Sequence, residues 1–111
     1  MVNILFICSQ NRLRSPTAEQ MFCQYAGIEC ASAGVYDSAE VPLDPELIEW
    51  ADIIFVMERI HYTKMTKKFK RYLNNKRIIV LGIPDEYEYM DPTLIHLLEI
   101  KVIPLIRSHL S

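Results

Sequence analysis

The stretch that most constrains this chain is residues 8–16, Cys-Ser-Gln-Asn-Arg-Leu-Arg-Ser-Pro. It follows an apolar run at residues 2–7 that is typical of a buried strand. Behind it, apolar residues recur at helical spacing, with Pro16 suited to the first helical position and Ser15 to the cap. The pattern therefore predicts a strand, a short loop and a helix, with a cysteine leaving the strand and an arginine where the helix begins.

This arrangement suits the binding of an oxyanion beside a thiol. Free N–H groups at a helix N-terminus attract an anion, and consecutive loop N–H groups can add to them. The guanidinium of Arg14 can bind phosphate with two hydrogen bonds, while the same positive field favours a Cys8 thiolate. The simpler alternative makes Cys8 a small buried side chain and Arg14 a solvated charge. The strand-loop-helix context favours the apparatus of a cysteine-dependent phosphatase.

These residues resemble the low-molecular-weight protein tyrosine phosphatases and their arsenate reductase relatives, which carry Cys-x-Gly-Asn-x-Cys-Arg-Ser-Pro near the N-terminus. The chain looks like a short variant of that family. Two loop positions depart from the motif, because Gln10 replaces the glycine and Leu13 the second cysteine. The matching positions are Cys8, Asn11, Arg14, Ser15 and Pro16. The resemblance implies hydrolysis of phosphomonoesters through a cysteinyl-phosphate intermediate.

Four apolar strand-like segments alternate with helical patterns along the chain. This order predicts a single α/β domain over residues 1–111, a three-layer α/β/α fold around a four-stranded parallel sheet with the phosphate-binding loop after strand 1. In the helix predicted at residues 59–72, Ile60, Met65, Phe69 and Tyr72 are expected to be buried. Pro104 is expected to kink or break the last helix. Ligands bind at the carboxyl ends of such strands, where the loops around Tyr36 and Asp91 should converge.

The resemblance and the chemistry together assign roles to individual residues. Cys8 is the expected nucleophile, Arg14 the clamp and Asp91, in a late Asp-Pro pair, the general acid. Asp91 could instead be a helix cap, with Asp85 as the fallback acid. Asn11 is expected in the left-handed conformation, and Ser15 can donate a hydrogen bond to the thiolate. The predicted substrate-binding residues are Ser9, Gln10, Asn11, Arg12, Leu13, Ser15 and Tyr36.

The substrate is less constrained than the chemistry. Thr93 and Leu94 stand where the family commonly has tyrosines that wall a phosphotyrosine slot, and Arg12 adds a second positive charge to the loop. A phosphorylated protein or a small phosphate ester is the expected partner. One alternative substrate is a nucleotide or RNA phosphate, and the non-enzymatic alternative is a module that binds phosphate without catalysis. A lysine-rich helix face at residues 64–71, followed by Lys76 and Arg77, could attract such anions or simply be solvated. Leu13 and the placement of Cys23 and Cys30 argue against arsenate reduction.

Bulk properties set the remaining expectations. The chain has 111 residues, a net charge of −2 and 50% hydrophobic residues, as in a globular domain. No apolar run is long enough for a membrane helix, and no secretory signal is recognisable. Three cysteines without metal-type spacing suggest neither a disulfide framework nor a zinc site. We expect a cytoplasmic monomer without metal or cofactor, able to hold free phosphate or another oxyanion in its loop.

Overall fold

A four-stranded parallel sheet with strand order β2-β1-β3-β4 forms the centre of the molecule. The computed structural model describes the backbone of residues 1–110 and the side chains of residues 1–108. The strands are β1 (Val2–Cys8), β2 (Ile28–Gly34), β3 (Ile53–Val56) and β4 (Arg77–Val80). The parallel sheet predicted from the sequence is therefore confirmed.

Helices cover both faces of this sheet. The pair that packs with one apolar cluster is α1 (Arg14–Phe22) and α4 (Pro92–Leu110), and the pair on the other face is α2 (Pro45–Trp50) and α3 (Arg59–Phe69). A 3-10 turn, Lys70–Tyr72, follows α3. The three-layer α/β/α fold is confirmed. Within residues 1–110, no helix has the length and apolarity that a bilayer crossing requires.

The middle of the sheet is β1, and its alternating side chains build both cores. Ile4 and Phe6 face the α1 and α4 layer, and Leu5 and Ile7 face the α2 and α3 layer. All four are fully buried, as expected for a central parallel strand covered on both sides. The Phe6 ring also packs between two other aromatic rings, with centroid distances of 5.7 Å to Phe22 and 5.4 Å to Phe55. This packing holds the last residue of β1, Cys8, in a fixed position.

The strand order creates a crevice at the carboxyl ends of β1 and β3. The connection that leaves β1 leads to β2 on one side, whereas the connection that leaves β3 leads to β4 on the other. Between two such diverging connections the sheet leaves room for a ligand. The loop after β1 and the first turn of α3 therefore meet at this point.

Two predictions about helix positions were wrong. Ser15 lies within α1 and is not its cap, because the helix begins one residue earlier and the Leu13 carbonyl accepts the Thr17 N–H at 3.1 Å. In α3, Ile60 was expected to be buried but is 52% exposed, whereas its neighbour His61 is fully buried. His61 can be buried because both of its ring nitrogens have hydrogen-bond partners.

The expected break at Pro104 does not occur. Helix α4 continues through Pro104 to Leu110. Pro104 is exposed, and the apolar side chains Leu98, Val102 and Ile106 around it are buried against the sheet. Because tertiary packing of this apolar face stabilises the helix, it outweighs the roughly 3 kcal/mol that an internal proline costs.

Candidate active site

The loop between β1 and α1 is held by its carbonyl groups. The Cys8, Ser9 and Gln10 carbonyls accept the N–H groups of Val35, Tyr36 and Glu40 at 3.0, 3.3 and 2.9 Å. The C=O and N–H of one trans peptide point in opposite directions, so the N–H groups of residues 9–11 face away from the segment at residues 35–40. These N–H groups form a concave surface suited to an anion.

Two backbone features allow the loop to take this shape. Asn11 has a φ of 58°, so the prediction of a left-handed residue at this position is confirmed, whereas Gln10 is not among the described residues with positive φ. Gly34 lies directly beneath the loop, where an added Cβ would stand 2.5 Å from the Ser9 carbonyl oxygen and 2.5 Å from the Ala39 Cβ. A side chain at residue 34 would therefore push the loop away from the sheet.

Cys8 occupies the base of this loop, where its thiol is buried and 3% exposed. The Asn11 N–H donates to Cys8 Sγ at 3.2 Å, and Ser15 Oγ lies 2.9 Å from the same sulfur. Because Asn11 Nδ2 already donates to Ser15 Oγ at 3.0 Å, the hydroxyl hydrogen of Ser15 is available for the sulfur. Two hydrogen-bond donors are thus directed at the Cys8 sulfur.

Arg14 lies across the loop, and its side chain is 3% exposed. Its Nη1 donates to Glu58 Oε1 at 2.5 Å and to the Ile83 carbonyl at 2.8 Å. Nε is 3.7 Å from Asp85 Oδ1, and within the described part of the chain neither Nε nor Nη2 donates a hydrogen bond. The Nε and Nη2 edge of Arg14 is therefore free for a two-point contact with an oxyanion.

These groups surround a cavity of about 230 Å³ at the carboxyl ends of the strands. Most of the site residues predicted from the sequence line this cavity, and so does Asp85, the second candidate for the general acid. The lining residues are Cys8, Ser9, Gln10, Arg12, Leu13, Arg14 and Asp85. A thiol, a guanidinium and a carboxylate thus share one small cavity.

Asp91 lies outside this lining and immediately precedes α4. Its Oδ1 accepts the Thr93 N–H at 2.8 Å, and its carbonyl accepts the Ile95 N–H at 2.9 Å. These contacts are typical of a helix N-cap, the alternative already considered for this residue. Asp85 is instead 64% exposed at the cavity mouth, two residues beyond the Ile83 carbonyl that holds Arg14.

The residues predicted at the rim of the cavity lie there only in part. The exposed Arg12 side chain has its Nε 3.6 Å from Glu40 Oε1, and Gln10 Oε1 accepts the Ser38 hydroxyl at 3.2 Å. Tyr36 contacts the loop through its backbone, but it is not among the residues that line the cavity. Its ring is covered by the Lys64 ammonium, 4.9 Å from the ring centroid.

Part of the lysine-rich face of α3 is occupied by local contacts. Lys68 Nζ pairs with Asp37 on the loop after β2. Lys76 Nζ, beyond the 3-10 turn, donates to the Glu49 and Ala51 carbonyls at 2.9 and 2.7 Å. This face therefore stabilises neighbouring segments in addition to carrying positive charge.

Two residues of this site were missed in the sequence, the half-buried Glu58 and the fully buried His61. Glu58 holds Arg14, and His61 Nε2 lies 2.9 Å from Ser9 Oγ. Burial and then the Arg14 charge lower the pKa of His61 from 6.5 to about 4, against opposing effects of Glu58 and Asp85. The available signal was topological, because both residues follow β3 at the carboxyl edge of the sheet.

Residues 3–52 match the family model described as "Low molecular weight phosphotyrosine protein phosphatase". This segment contains the loop, Cys8, Arg14 and Gly34. No curated protein matches the chain significantly.

Solved structures match the chain over nearly its whole length. A YwlE mutant from Bacillus subtilis is 22% identical, with all of both chains covered and a TM-score of 0.81. The YwlE arginine phosphatase from Geobacillus stearothermophilus is 22% identical over 99% of this chain and 96% of its own, with a TM-score of 0.72. The tyrosine phosphatase Wzb from Escherichia coli K30, in complex with phosphate, is 20% identical over 96% of each chain, with a TM-score of 0.74. These likenesses establish a shared fold.

Proposed function

We propose that this chain is a member of the low molecular weight phosphotyrosine protein phosphatase family, whose model its residues 3–52 match, and that it hydrolyses phosphomonoesters through a cysteinyl-phosphate intermediate. The proposal rests on one cavity that is lined by Cys8, Arg14 and Asp85. The carbonyls of the loop beside it are hydrogen-bonded to the segment at residues 35–40, which leaves the loop N–H groups for an anion. Displacement at phosphorus needs a nucleophile, a clamp for the phosphoryl oxygens and an acid for the leaving oxygen. All three are supplied by this chain.

The reaction has two steps. In the first, the Cys8 thiolate attacks phosphorus, so that a sulfur-phosphorus bond forms while the phosphorus-oxygen ester bond breaks. The leaving oxygen takes a proton from the acid, and Arg14 and the loop N–H groups stabilise the phosphoryl oxygens. In the second step, the same residue, now a carboxylate, removes a proton from a water that attacks phosphorus. The sulfur-phosphorus bond then breaks and phosphate leaves.

We assign the acid role to Asp85 in place of Asp91. Asp85 lines the cavity and lies 3.7 Å from Arg14 Nε, so its carboxyl group is within reach of an oxygen above the sulfur. The Asp91 oxygens instead accept N–H groups from the first turn of α4. An acid has to stand within hydrogen-bond distance of the leaving group, and position therefore favours Asp85.

The cavity lining supports phosphatase chemistry more strongly than tyrosine specificity. Among the described residues that line it, none is aromatic. Tyr87 packs against the core, and the Tyr36 ring is covered by Lys64. We propose a phosphorylated protein or a small phosphate ester as substrate, with a nucleotide or RNA phosphate as the alternative that the exposed charge of Arg12 favours.

The names of two related proteins suggest substrates to test. The Geobacillus relative is named an arginine phosphatase and the Escherichia coli relative a tyrosine phosphatase. Purified protein should be assayed with phosphotyrosine, phosphoarginine and nucleotide phosphates. We further propose a monomer that acts in the cytoplasm, because a catalytic thiol requires a reducing compartment.

The decisive test compares wild type with Cys8→Ser. Wild type should turn over a chromogenic aryl phosphate, and Cys8→Ser should have no measurable activity while still binding inorganic phosphate. The reason is that a serine hydroxyl stays protonated where a thiol ionises. If wild type binds phosphate without turnover, the chain is a phosphate-binding module. Substantial turnover by Cys8→Ser would remove Cys8 from the nucleophile role.

A further inference from the structure

The first turn of α3 fixes the ring of His61 in one tautomer. His61 and Glu58 form the capping box that opens α3: the His61 N–H donates to the Glu58 carbonyl at 3.0 Å, and the Glu58 N–H donates to His61 Nδ1 at 3.0 Å. A backbone N–H can only donate, so Nδ1 has to be the unprotonated nitrogen. The hydrogen of the neutral ring is therefore on Nε2.

The position of this hydrogen decides the direction of the contact with the catalytic loop. Nε2 lies 2.9 Å from Ser9 Oγ, so His61 donates and the Ser9 oxygen accepts. Ser9 directly follows the proposed nucleophile and lines the cavity. Its carbonyl is held from the other side by the Tyr36 N–H. Ser9 is thus fixed between the segment after β2 and the N-terminus of α3.

We infer that neutral His61 is a positioning residue for the phosphoryl-transfer site, which fixes Ser9 and with it the start of the anion-binding loop. This inference rests on the proposed phosphatase function. His61 does not line the cavity, and its effect passes through the Ser9 hydroxyl. Glu58, on the same helical turn, holds Arg14, so the capping box of α3 contacts both ends of the loop.

Protonation of His61 would break this arrangement. A second ring hydrogen on Nδ1 would face the Glu58 N–H, and both the cap and the orientation of the ring would be lost. The charged groups around the ring are Arg14 on α1, Glu58 at the start of α3 and Asp85 on the loop after β4. Burial and Arg14 lower the pKa of His61 to about 4, so the ring stays neutral near pH 7.

Two substitutions separate the two hydrogen bonds of His61. Asn places its carbonyl oxygen near the position of Nδ1 and can keep the cap, but it is too short to reach Ser9. Gln is a standard capping-box residue and extends an N–H toward the position of Nε2. His61→Asn should weaken the binding of inorganic phosphate and lower kcat/KM about tenfold, the effect of losing one hydrogen bond. His61→Gln should stay within about twofold of wild type.

The Ser9→Ala variant tests the same contact from the loop side. It should reproduce the loss seen in His61→Asn, and the double variant should be no worse than either single variant, because both remove one interaction. The inference would be overturned if the losses of the two single variants multiplied in the double variant. It would also be overturned if folded His61→Asn and Ser9→Ala proteins had wild-type kinetics. If His61→Asn does not fold, Ser9→Ala and His61→Gln still decide it.

Phosphate affinity separates this inference from the proposed function. It can be measured by protection against thermal unfolding, and it needs no turnover. A chain that binds phosphate but hydrolyses no ester would contradict the phosphatase proposal. The order of phosphate affinities among the variants would still test the positioning role of His61. If all variants bind phosphate equally, the inference fails even where the phosphatase activity is established.

The pH dependence of unfolding gives an independent readout. The folded-state pKa of His61 lies below its unfolded value of 6.5, so the unfolded chain binds more protons between pH 6.5 and about 4. Wild type should therefore lose stability across this range as the pH falls, and His61→Gln should lose less. An identical pH dependence in both proteins would contradict a neutral, cap-bound His61.

Discussion

The two halves of the chain contribute to the candidate active site in different ways. Up to residue 52, the contribution is continuous backbone: residues 8–14 form the loop, and the amides of residues 35–40 hold its carbonyls. Beyond residue 52, the contribution consists of isolated groups on separate elements. These are the side chains of Glu58, His61 and Asp85 and the carbonyl of Ile83.

This difference explains why one half carries a recognisable motif and the other does not. A loop that binds an anion through successive N–H groups needs a fixed length, a left-handed residue and a close approach to its neighbour, all of which leave marks in adjacent residues. A single side chain that reaches the site from a distant strand end leaves no such mark. The match to the family model at residues 3–52 falls in the half that builds the loop.

Arg14→Lys should have the largest effect among the variants that probe this comparison, because Arg14 belongs to the first half but is held by the second. An ammonium cannot bridge Glu58, the Ile83 carbonyl and an oxyanion together. We expect kcat/KM for an aryl phosphate to fall by roughly 10²–10³-fold. The matched control is Arg12→Lys, on the same loop but exposed, which should retain most activity. Similar kinetics for the two variants would show that Arg14 is not the clamp.

Asp85→Asn tests whether one isolated carboxylate from the second half is the acid. We expect turnover of an alkyl phosphate to fall by about a hundredfold or more, since the leaving oxygen then departs without a proton. The loss should shrink with an aryl phosphate, which has a better leaving group.

Asp91→Asn is the matched control for this carboxylate. Asn is itself a good helix cap, so Asp91→Asn should spare both stability and activity. A large loss in Asp91→Asn that depends on the leaving group, with Asp85→Asn active, would return the acid role to Asp91.

Gly34→Ala tests the backbone construction of the first half. Its new Cβ would stand 2.5 Å from the Ser9 carbonyl oxygen, so the loop must shift. We expect the free energy of unfolding to fall by about 1–3 kcal/mol and phosphate affinity to fall with it. Gly27→Ala is the control, because Gly27 has a φ of 83° but an open surrounding. Gly27→Ala should lose stability with no change in phosphate affinity. Phosphate titration of the Gly34→Ala and Gly27→Ala proteins measures the two affinities.

Pro104→Ala should have the smallest effect on activity, because α4 supports the sheet from the face opposite α3. Alanine restores a backbone N–H in the helix interior, and we expect the free energy of unfolding to rise on the order of 1–2 kcal/mol. Chemical denaturation measures the change, and kcat/KM should equal that of wild type. A loss of stability would show that Pro104 fits the helix better than alanine does.

Most of the fold followed from the sequence because strand and helix periods are properties of neighbouring residues. The loop, its left-handed Asn11 and the three layers are of this kind. Asp91 was ranked above Asp85 because its Asp-Pro pair resembles the late Asp-Pro of the family. Such a pair is also the ordinary start of a helix, and here it directly precedes and opens α4. His61 was missed because its importance comes from a partner 52 residues away, Ser9.

The register between β1 and β2 has a consequence for oxidation. Cys8 is paired with Gly34 and Ile4 with Cys30, so four residue steps, about 13 Å along the strands, separate the two thiols. A disulfide needs Cα atoms within about 7 Å of each other. Cys23 lies beyond the far end of α1 and is no better placed. A sulfenic acid formed at Cys8 therefore has no thiol of its own chain to condense with. We expect peroxide to drive it toward the irreversible acids unless a thiol from another molecule or a backbone nitrogen condenses with it first.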